Sequence, residues 1–583
     1  MDRRDISKAI VGIAAVGGAG AIAPKAQAQT CTPPCFAQTT AEAAAGVTPT
    51  NYQYSPSHIG DDVRRFGNID LTGGTDCSSI LATADSVGVS LYFPPGIYRI
   101  SANLTFTVPL IFDYGAILKP DTGVTVTINA PVWAGPWQIF NLPSAAALAG
   151  VLQPMNYEAA ILVEWFGGGQ GGSDDSPYFN QALSAAYNSG GLVVRLLAKN
   201  YNIAHSIYMA GSSSAVPGNL PCLWGTSGPG NSTPQIGTRI STAGAIITVV
   251  ANAGDSSNIV KAGIKDIHFI GNGTDTSIQL NGCDFYDVER CTFDEPNIGV
   301  QFYCSSTSVY TEYCRAVKCV FNYCVTTAVR YTVNGGGFTS FHGCGLQDCW
   351  VNLNAASQKA VIIDTGTVYN APLTFQCWTG GYEVTLIENN STALSSCHGT
   401  ITIEGGSPTV PIVIAGGTGI PISFAGKLNV SSSGCTSGNF TQCDVVQTNG
   451  TVMYLYGGRK TTTFPLSTGA TQEAGGLNML LGTSRLVTVD IVNTAQTYYY
   501  KAVLLVLSLN TGFTGQVTVL ASYLQNNGAG YGAPTFAFGT SGGIVITNAN
   551  YPSSGVLAVV ESNQIGGLPV LPNYSASQGY AYI

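Results

Sequence analysis

Four short segments decide the fold: Asp266-Ile267-His268-Phe269, Arg290-Cys291-Thr292-Phe293, Lys318-Cys319-Val320-Phe321 and Asp348-Cys349-Trp350-Val351. After its leading charge each reads apolar-x-apolar, and successive segments are offset by 24, 28 and 30 residues. That is a repeat with insertions in its loops. Residues two apart in a strand point to the same face, so stacking the segments in parallel makes two interior columns. One holds Ile267, Cys291, Cys319 and Cys349; the other holds Phe269, Phe293, Phe321 and Val351. The leading residues Asp266, Arg290, Lys318 and Asp348 then form an outer column. Opposite charges meet there across the first two and the last two segments. A second echo follows in each loop, where Gly299-Val300-Gln301-Phe302 matches Ala328-Val329-Arg330-Tyr331 at an offset of 29.

Composition agrees with a solenoid of strands. Only 9% of the 583 residues are charged, against a usual share of about 25%. Gly, Ser, Thr and Asn replace the Lys and Glu that solvate exposed helices. The net charge of −9 offers no basic patch, so nucleic acid is not an expected partner. Eight of the 16 cysteines lie between Cys283 and Cys349. Stacked free thiols are packing material, since cysteine behaves in a core as a small hydrophobe. The C-x-x-C and His spacings of a zinc site are missing, so no metal and no cofactor is predicted.

Two segments read as openings of a coil. The first runs from Asp62-Val63-Arg64-Arg65-Phe66-Gly67, through a weakly helical 77–87, to Leu91-Tyr92-Phe93-Pro94-Pro95-Gly96-Ile97-Tyr98. The second runs from Val163-Glu164-Trp165-Phe166-Gly167 to a helix over 178–186, capped by Asp174 or Asp175 with Pro177 in its first turn. Phe179, Ala182, Leu183 and Ala186 make one apolar stripe on that helix, suited to closing the end of a β-coil.

These openings resemble the N-terminal segment of pectate-lyase-superfamily proteins, and more closely that of tailspike-like proteins of phages and prophages. Thr311-Glu312 and Thr339-Ser340-Phe341 resemble further motifs of the same group. Both openings depart from the family pattern: the first keeps only Gly73-Gly74-Thr75-Asp76, and the second has Ala198-Lys199-Asn200-Tyr201 where the family has Pro and Gly before the Tyr. The resemblance spans roughly residues 62–353 and implies an all-β right-handed parallel β-helix that handles polysaccharide. It also implies a homotrimer, and attachment to a phage baseplate through the N-terminus.

The resulting division is 1–28 export signal or anchor arm, 29–58 linker, 59–150 smaller N-terminal β unit, 151–455 parallel β-helix and 456–583 antiparallel β domain. Arg3 and Arg4 before the apolar stretch 9–23, and Ala26-Gln27-Ala28 after it, form a twin-arginine-like signal. That stretch is too short for a membrane span.

Hydrolysis of a glycosidic bond needs two carboxylates about 5–9.5 Å apart. Six of the 32 acids crowd into residues 284–312: Asp284, Asp287, Glu289, Asp294, Glu295 and Glu312. All six are candidates for this chemistry and the last five are the favoured catalytic residues, each with a plain alternative as turn, cap or ion-pair residue. Arg330, His342, Trp350 and Tyr310 are the substrate-binding candidates. Elimination would instead draw on Arg315, Lys318, Arg330 and His342, and the calcium site of the pectate lyases proper is not recognisable. Three readings stay open: a tailspike-like depolymerase, a secreted lyase or hydrolase, and a non-catalytic β-helical adhesin.

Overall fold

The structure, a computed structural model, describes residues 35–54 and 60–404, apart from 144–146, 157–158, 210–219, 227–236, 253–262, 307–308, 335–339, 383 and 394. Beyond 404 it describes separate strands with a few flanking residues, up to 564. The export signal expected at 1–28 lies outside the described residues.

From Ile161 to Thr448 the chain winds as a parallel β-helix, its strands joined in one 18-stranded and one 9-stranded parallel sheet. Each middle rung carries three strands. In one rung they are Asp287–Glu289 on a first face, Thr292–Asp294 on a second and Ile298–Cys304 on a third. The next rung repeats them as Arg315–Val317, Val320–Asn322 and Thr327–Val333.

The expected columns are present. Phe269 pairs in register with Phe293, Phe293 with Phe321 and Phe321 with Val351. Rings 269 and 293 stack 5.3 Å apart, and rings 293 and 321 stack 4.7 Å apart. Ile267, Cys291, Cys319 and Cys349 are buried in line, linked by N–H donation from Thr292 to Ile267, Val320 to Cys291 and Trp350 to Cys319. Gln301 pairs in register with Arg330, as the loop echo requires.

The corners follow a shorter metre than the columns reveal. Phe285, Arg290 and Glu295 in one rung, and Tyr313, Lys318 and Tyr323 in the next, all have left-handed φ between 51° and 55°. A bend therefore falls on every fifth residue. Such a conformation costs a non-glycine residue about 1–2 kcal/mol. Ladder bonds that continue through the bend offset this: Arg290 N–H donates to Val317 O at 2.9 Å, and Lys318 N–H to Gln347 O at 2.8 Å. The residue after a bend points inward, and there the cysteines concentrate. Their thiols donate to carbonyls of the preceding rung, Cys314 to Cys283 O at 3.0 Å, Cys319 to Val288 O at 3.2 Å and Cys349 to Ala316 O at 3.1 Å. A buried carbonyl thus gains a donor that Ala or Val could not supply. Twelve of the described cysteines are free.

Of the two outer charge pairs, Arg290 grips Asp266 through two contacts of 2.8 Å. Lys318 and Asp348 occupy the same bend column without forming an ion pair, because both side chains project into solvent and stacking alone does not hold them together.

The N-terminal unit is itself a small three-faced parallel coil, with sheets of five, three and three strands, and it extends to Pro154. The stretch 35–54, expected as linker, is instead packed on this coil: the short helix Thr40–Ala44 presents Glu42 to Arg65, and both side chains are fully buried. Arg65 also donates to Phe36, Ala37 and Tyr54 carbonyls, which explains why an arginine can be buried here. Helices Ser78–Asp85 and Ser176–Asn188 stand at the two openings. In the second, Phe179, Ala182, Leu183 and Ala186 are all buried, and Asp174 rather than Asp175 accepts from Ser176 N–H at 2.9 Å. After the helix, strands of 460–564 pair antiparallel in sheets of five and three. No helix among the described residues is long and apolar enough to cross a membrane.

Candidate functional site

At the corner between the third and first faces, successive rungs place Asp284, Glu312, His342 and Tyr369 above one another. Asp284 and Glu312 are joined by a parallel bridge, Glu312 N–H donates to Cys283 O at 3.0 Å, and His342 pairs in register with Tyr369. Thr311 makes the corner rigid. Fully buried, it donates from Oγ1 to Tyr303 O at 2.7 Å and accepts from Gly282 N–H at 3.0 Å. The Thr-Glu pair therefore divides its work, with Thr311 bracing the stack and Glu312 left toward the surface.

Burial pushes the Glu312 carboxyl above its ordinary value, and the His342 imidazole, Nδ1 3.8 Å from Oε1, pulls the other way. The Glu312 side chain is 23% exposed, so it is accessible while losing much of its hydration. On its far side the His342 ring meets Tyr369 edge-on, with centroids 4.7 Å apart.

A second column runs beside the acids. Phe285 and Tyr313, each at a left-handed bend, are 42% and 43% exposed, and their rings stack 4.9 Å apart and within 10° of parallel. Gly343 follows at the same corner. A Cβ there would come within 2.7 Å of the Tyr313 ring, so glycine leaves the aromatic its place. The facing sides of the two rings cover each other, so the pair presents its edges and outer faces as an apolar strip beside the carboxylate column.

The other sequence candidates fall elsewhere. Asp287 and Glu289 face outward from the first face, Asp287 opposite Arg315 at 3.4 Å and Glu289 against Arg290. Burial raises the Asp287 carboxyl despite Arg315. Asp294 heads a polar ladder on the second face. It accepts from His268 Nε2 at 2.5 Å and Asn322 Nδ2 at 2.6 Å, Asn352 donates to Asn322 at 2.7 Å, and Trp350 Nε1 donates to Asn352 at 2.5 Å. Burial would raise the Asp294 carboxyl, but these bonds outweigh it and hold it below the ordinary range. Trp350 is thereby tied into the ladder. Glu295 sits at the next bend, between the second and third faces. Arg330, on the third face, is ion-paired with Asp364. Tyr310 is 37% exposed in the loop just before Thr311.

The structure thus brings together Glu312 and His342, joins to them Asp284, an acid of the same cluster that was not among the favoured five, and adds Phe285, Tyr313 and Tyr369. A signal for part of this was available. Asp284, Glu312 and His342 each precede a column cysteine (291, 319, 349) by seven residues. Tyr369 escapes that rule because a register shift follows Gln347, which pairs Cys349 with Phe375. Among the described residues no cluster of His, Cys, Asp and Glu is arranged to hold a metal ion.

No protein-family model matches the chain, and no curated protein matches it. Several of the solved structures similar to it are phage tailspikes. The tailspike of Acinetobacter phage vB_ApiP_P1 is 13% identical over 89% of this chain and 90% of that one, with a TM-score of 0.20. A tailspike double mutant of E. coli bacteriophage HK620 is 10% identical over 90% of this chain and 98% of that one, with a TM-score of 0.34. The endo-xylogalacturonan hydrolase of Aspergillus tubingensis is 12% identical over 65% of this chain and 98% of that one, with a TM-score of 0.30. Similarity at this level identifies no acting residue.

Proposed function

We propose that this protein is a tailspike-like depolymerase, which binds a bacterial surface polysaccharide and hydrolyses it at the Asp284–Glu312 corner. The observation that carries the reading is the pairing of an accessible, burial-raised carboxyl with a second carboxylate one rung away, beside two exposed stacked rings. In this reading Glu312 is the acid that protonates the departing glycosidic oxygen. Asp284, 6% exposed, supplies the second carboxylate, attacking the anomeric carbon as the C–O bond breaks; water then attacks that carbon, gives its proton to Glu312 and releases Asp284. Adjacent rungs rise by about 4.8 Å. Carboxyls carried at the rung spacing fall near the separation of about 5–5.5 Å used for double displacement, a route in which the product keeps its anomeric configuration. Phe285 and Tyr313 hold a sugar ring at the cleavage point.

A second reading, elimination, draws on the His342–Tyr369 contact, a base and a phenol at the same corner. The experiment that tests both is digestion of a panel of bacterial capsular and O-chain polysaccharides. Reducing ends with a retained anomer and no ultraviolet-absorbing double bond are expected. Unsaturated ends would replace hydrolysis by elimination, and no cleavage across the panel would leave an adhesin. A homotrimer, attachment to a phage baseplate through the N-terminus, and action outside the cell, either on a virion tail or after export, belong to the same proposal and are tested by sedimentation and by locating the chain in particles.

A further inference from the structure

The corner between the second and third faces carries a different surface. Across four rungs, the loops 271–273 and 354–358 flank the bends at Glu295 and Tyr323, leaving a trough of about 380 Å³. Its lining includes Asn272, Glu295, Tyr323, Val325 and Asn354.

The trough is open because of its glycines. Gly271 passes so close to the next rung that a Cβ would lie 2.3 Å from Pro296 Cα, and Gly273 turns with φ of 80°. Its N–H donates to Glu295 O at 3.0 Å, which sets the floor against the second rung. At the other end Gln358, almost wholly buried, accepts from Asn354 N–H at 2.7 Å and fixes that loop. The trough is therefore supported by hydrogen bonds on both sides.

Its chemistry differs from that of the acid column. Glu295 is exposed, and its carboxylate has no ion pair or side-chain hydrogen bond among the described residues. Asn272 Oδ1 is occupied by Thr274, which leaves its Nδ2 as the group able to donate outward. Val325, 45% exposed, provides an apolar patch, and Tyr323 a ring with a polar tip. Among the described residues no second acid and no histidine lines the trough, so the carboxylate pair that hydrolysis needs is not found there. One unpaired carboxylate, amides and an aromatic suit the hydroxyls of a neutral sugar, whereas an acidic sugar would meet uncompensated negative charge.

We infer that this trough is a non-hydrolytic binding site for one or two neutral sugar units. Glu295 accepts from sugar hydroxyls, Asn272 donates to them, and Tyr323 with Val325 contacts the apolar face of a ring. The inference rests on the reading of the protein as one that handles polysaccharide, and it assigns Glu295 to binding in place of catalysis.

The test uses the full chain carrying Glu312→Gln, so that bound sugars are not consumed. Calorimetry is run with dextran, mannan and galactan heptamers, and with a polygalacturonate heptamer as the acidic control. Binding of at least one neutral heptamer is expected. Tyr323→Ala and Glu295→Gln should each weaken it about fivefold or more, and in an otherwise unaltered chain neither should change cleavage of a short substrate. Failure of every neutral heptamer to bind, equal binding of the acidic heptamer, or indifference to both substitutions would overturn the inference. If both substitutions weaken binding while Glu312→Gln leaves cleavage unchanged, the proposed cleavage site falls and the trough stands. If cleavage depends on Glu312 and the heptamers ignore both substitutions, only the trough falls.

Discussion

Glu312 lies one rung above Asp284, held there by a parallel backbone bridge, while His342 approaches it from the following rung at 3.8 Å. Burial and the imidazole act on this acid in opposite directions, and replacing it tests the site directly. Glu312→Gln and Asp284→Asn are each expected to lower polysaccharide cleavage about 100-fold or more. Release of reducing ends, with circular dichroism to verify folding, is the measurement. A loss below about threefold in both variants would remove the corner from the chemistry.

The pH dependence follows from burial. Glu312 has its carboxyl raised in the folded state, so the folded chain holds that proton to higher pH than the unfolded chain does. This contribution to stability is fully present below the ordinary Glu value and is lost as pH rises through the raised one. Activity that needs the protonated acid should fall through the same window. Glu312→Gln, which cannot ionise, should melt higher than the unaltered chain at pH 7 and equally at pH 4. Thermal melts at the two pH values, beside a pH–rate profile, decide it.

Asp294 gives the opposite sign. Bonds from His268 and Asn322 outweigh its burial and hold its carboxyl low, so its contribution is present above the ordinary Asp value and is lost as pH falls through the lowered one. Asp294→Ala leaves two partly buried donors without an acceptor and should cost about 1–2 kcal/mol at neutral pH. Denaturant titration should show that cost shrinking in acid, with cleavage per folded molecule unchanged. A large loss of cleavage in a stable Asp294→Ala would return this residue to the catalytic site.

The bends can be tested at Lys318, whose φ is 53°. A β-branched residue is least tolerant of that conformation, so Lys318→Val should destabilise by about 1–2 kcal/mol. Lys318→Gly should be neutral or slightly stabilising, because glycine adopts the bend without steric cost. Urea midpoints of the two variants, compared at constant slope, are the readout.

Phe321 stacks 4.7 Å from Phe293 and sits in register beneath Val351. Its truncation to Ala should leave a cavity between rungs that strand pairing prevents from closing. The expected cost is about 3–5 kcal/mol, seen as a lowered denaturation midpoint.

Most of the coil could be read from the sequence, because its core repeats one residue type in one place. A stacked Phe or Cys column leaves a periodic trace, as does the helix Ser176–Asn188, whose apolar stripe is buried at its opening. The five-residue spacing of the bends was harder to see. Phe285, Arg290, Glu295, Tyr313, Lys318 and Tyr323 share a backbone conformation but no chemistry, and only Gly343 in that series advertises a left-handed turn. The candidate site was legible in half. Acid density pointed to the rungs that carry the proposed corner, yet Asp287, Asp294 and Glu312 occupy different faces or corners of the same coil. Which outer residue faces a corner depends on the bends, and those were not visible. Residues 35–54 were misjudged because burial of Glu42 depends on Arg65, a partner that no local pattern announces.

Eleven of the free cysteines are buried, several of them stacked in adjacent rungs. Burial pushes the thiols of Cys314, Cys319 and Cys349 far from the reactive thiolate form, so the finished coil is chemically quiet. The unfinished one is not. Before the rungs close, the same sulfurs are exposed neighbours along one chain, and any oxidant could cross-link them in arrangements that the stack cannot accept. The cysteines that make the core cheap to pack therefore impose an order of events, in which winding is completed under reducing conditions and oxidants are met only afterwards.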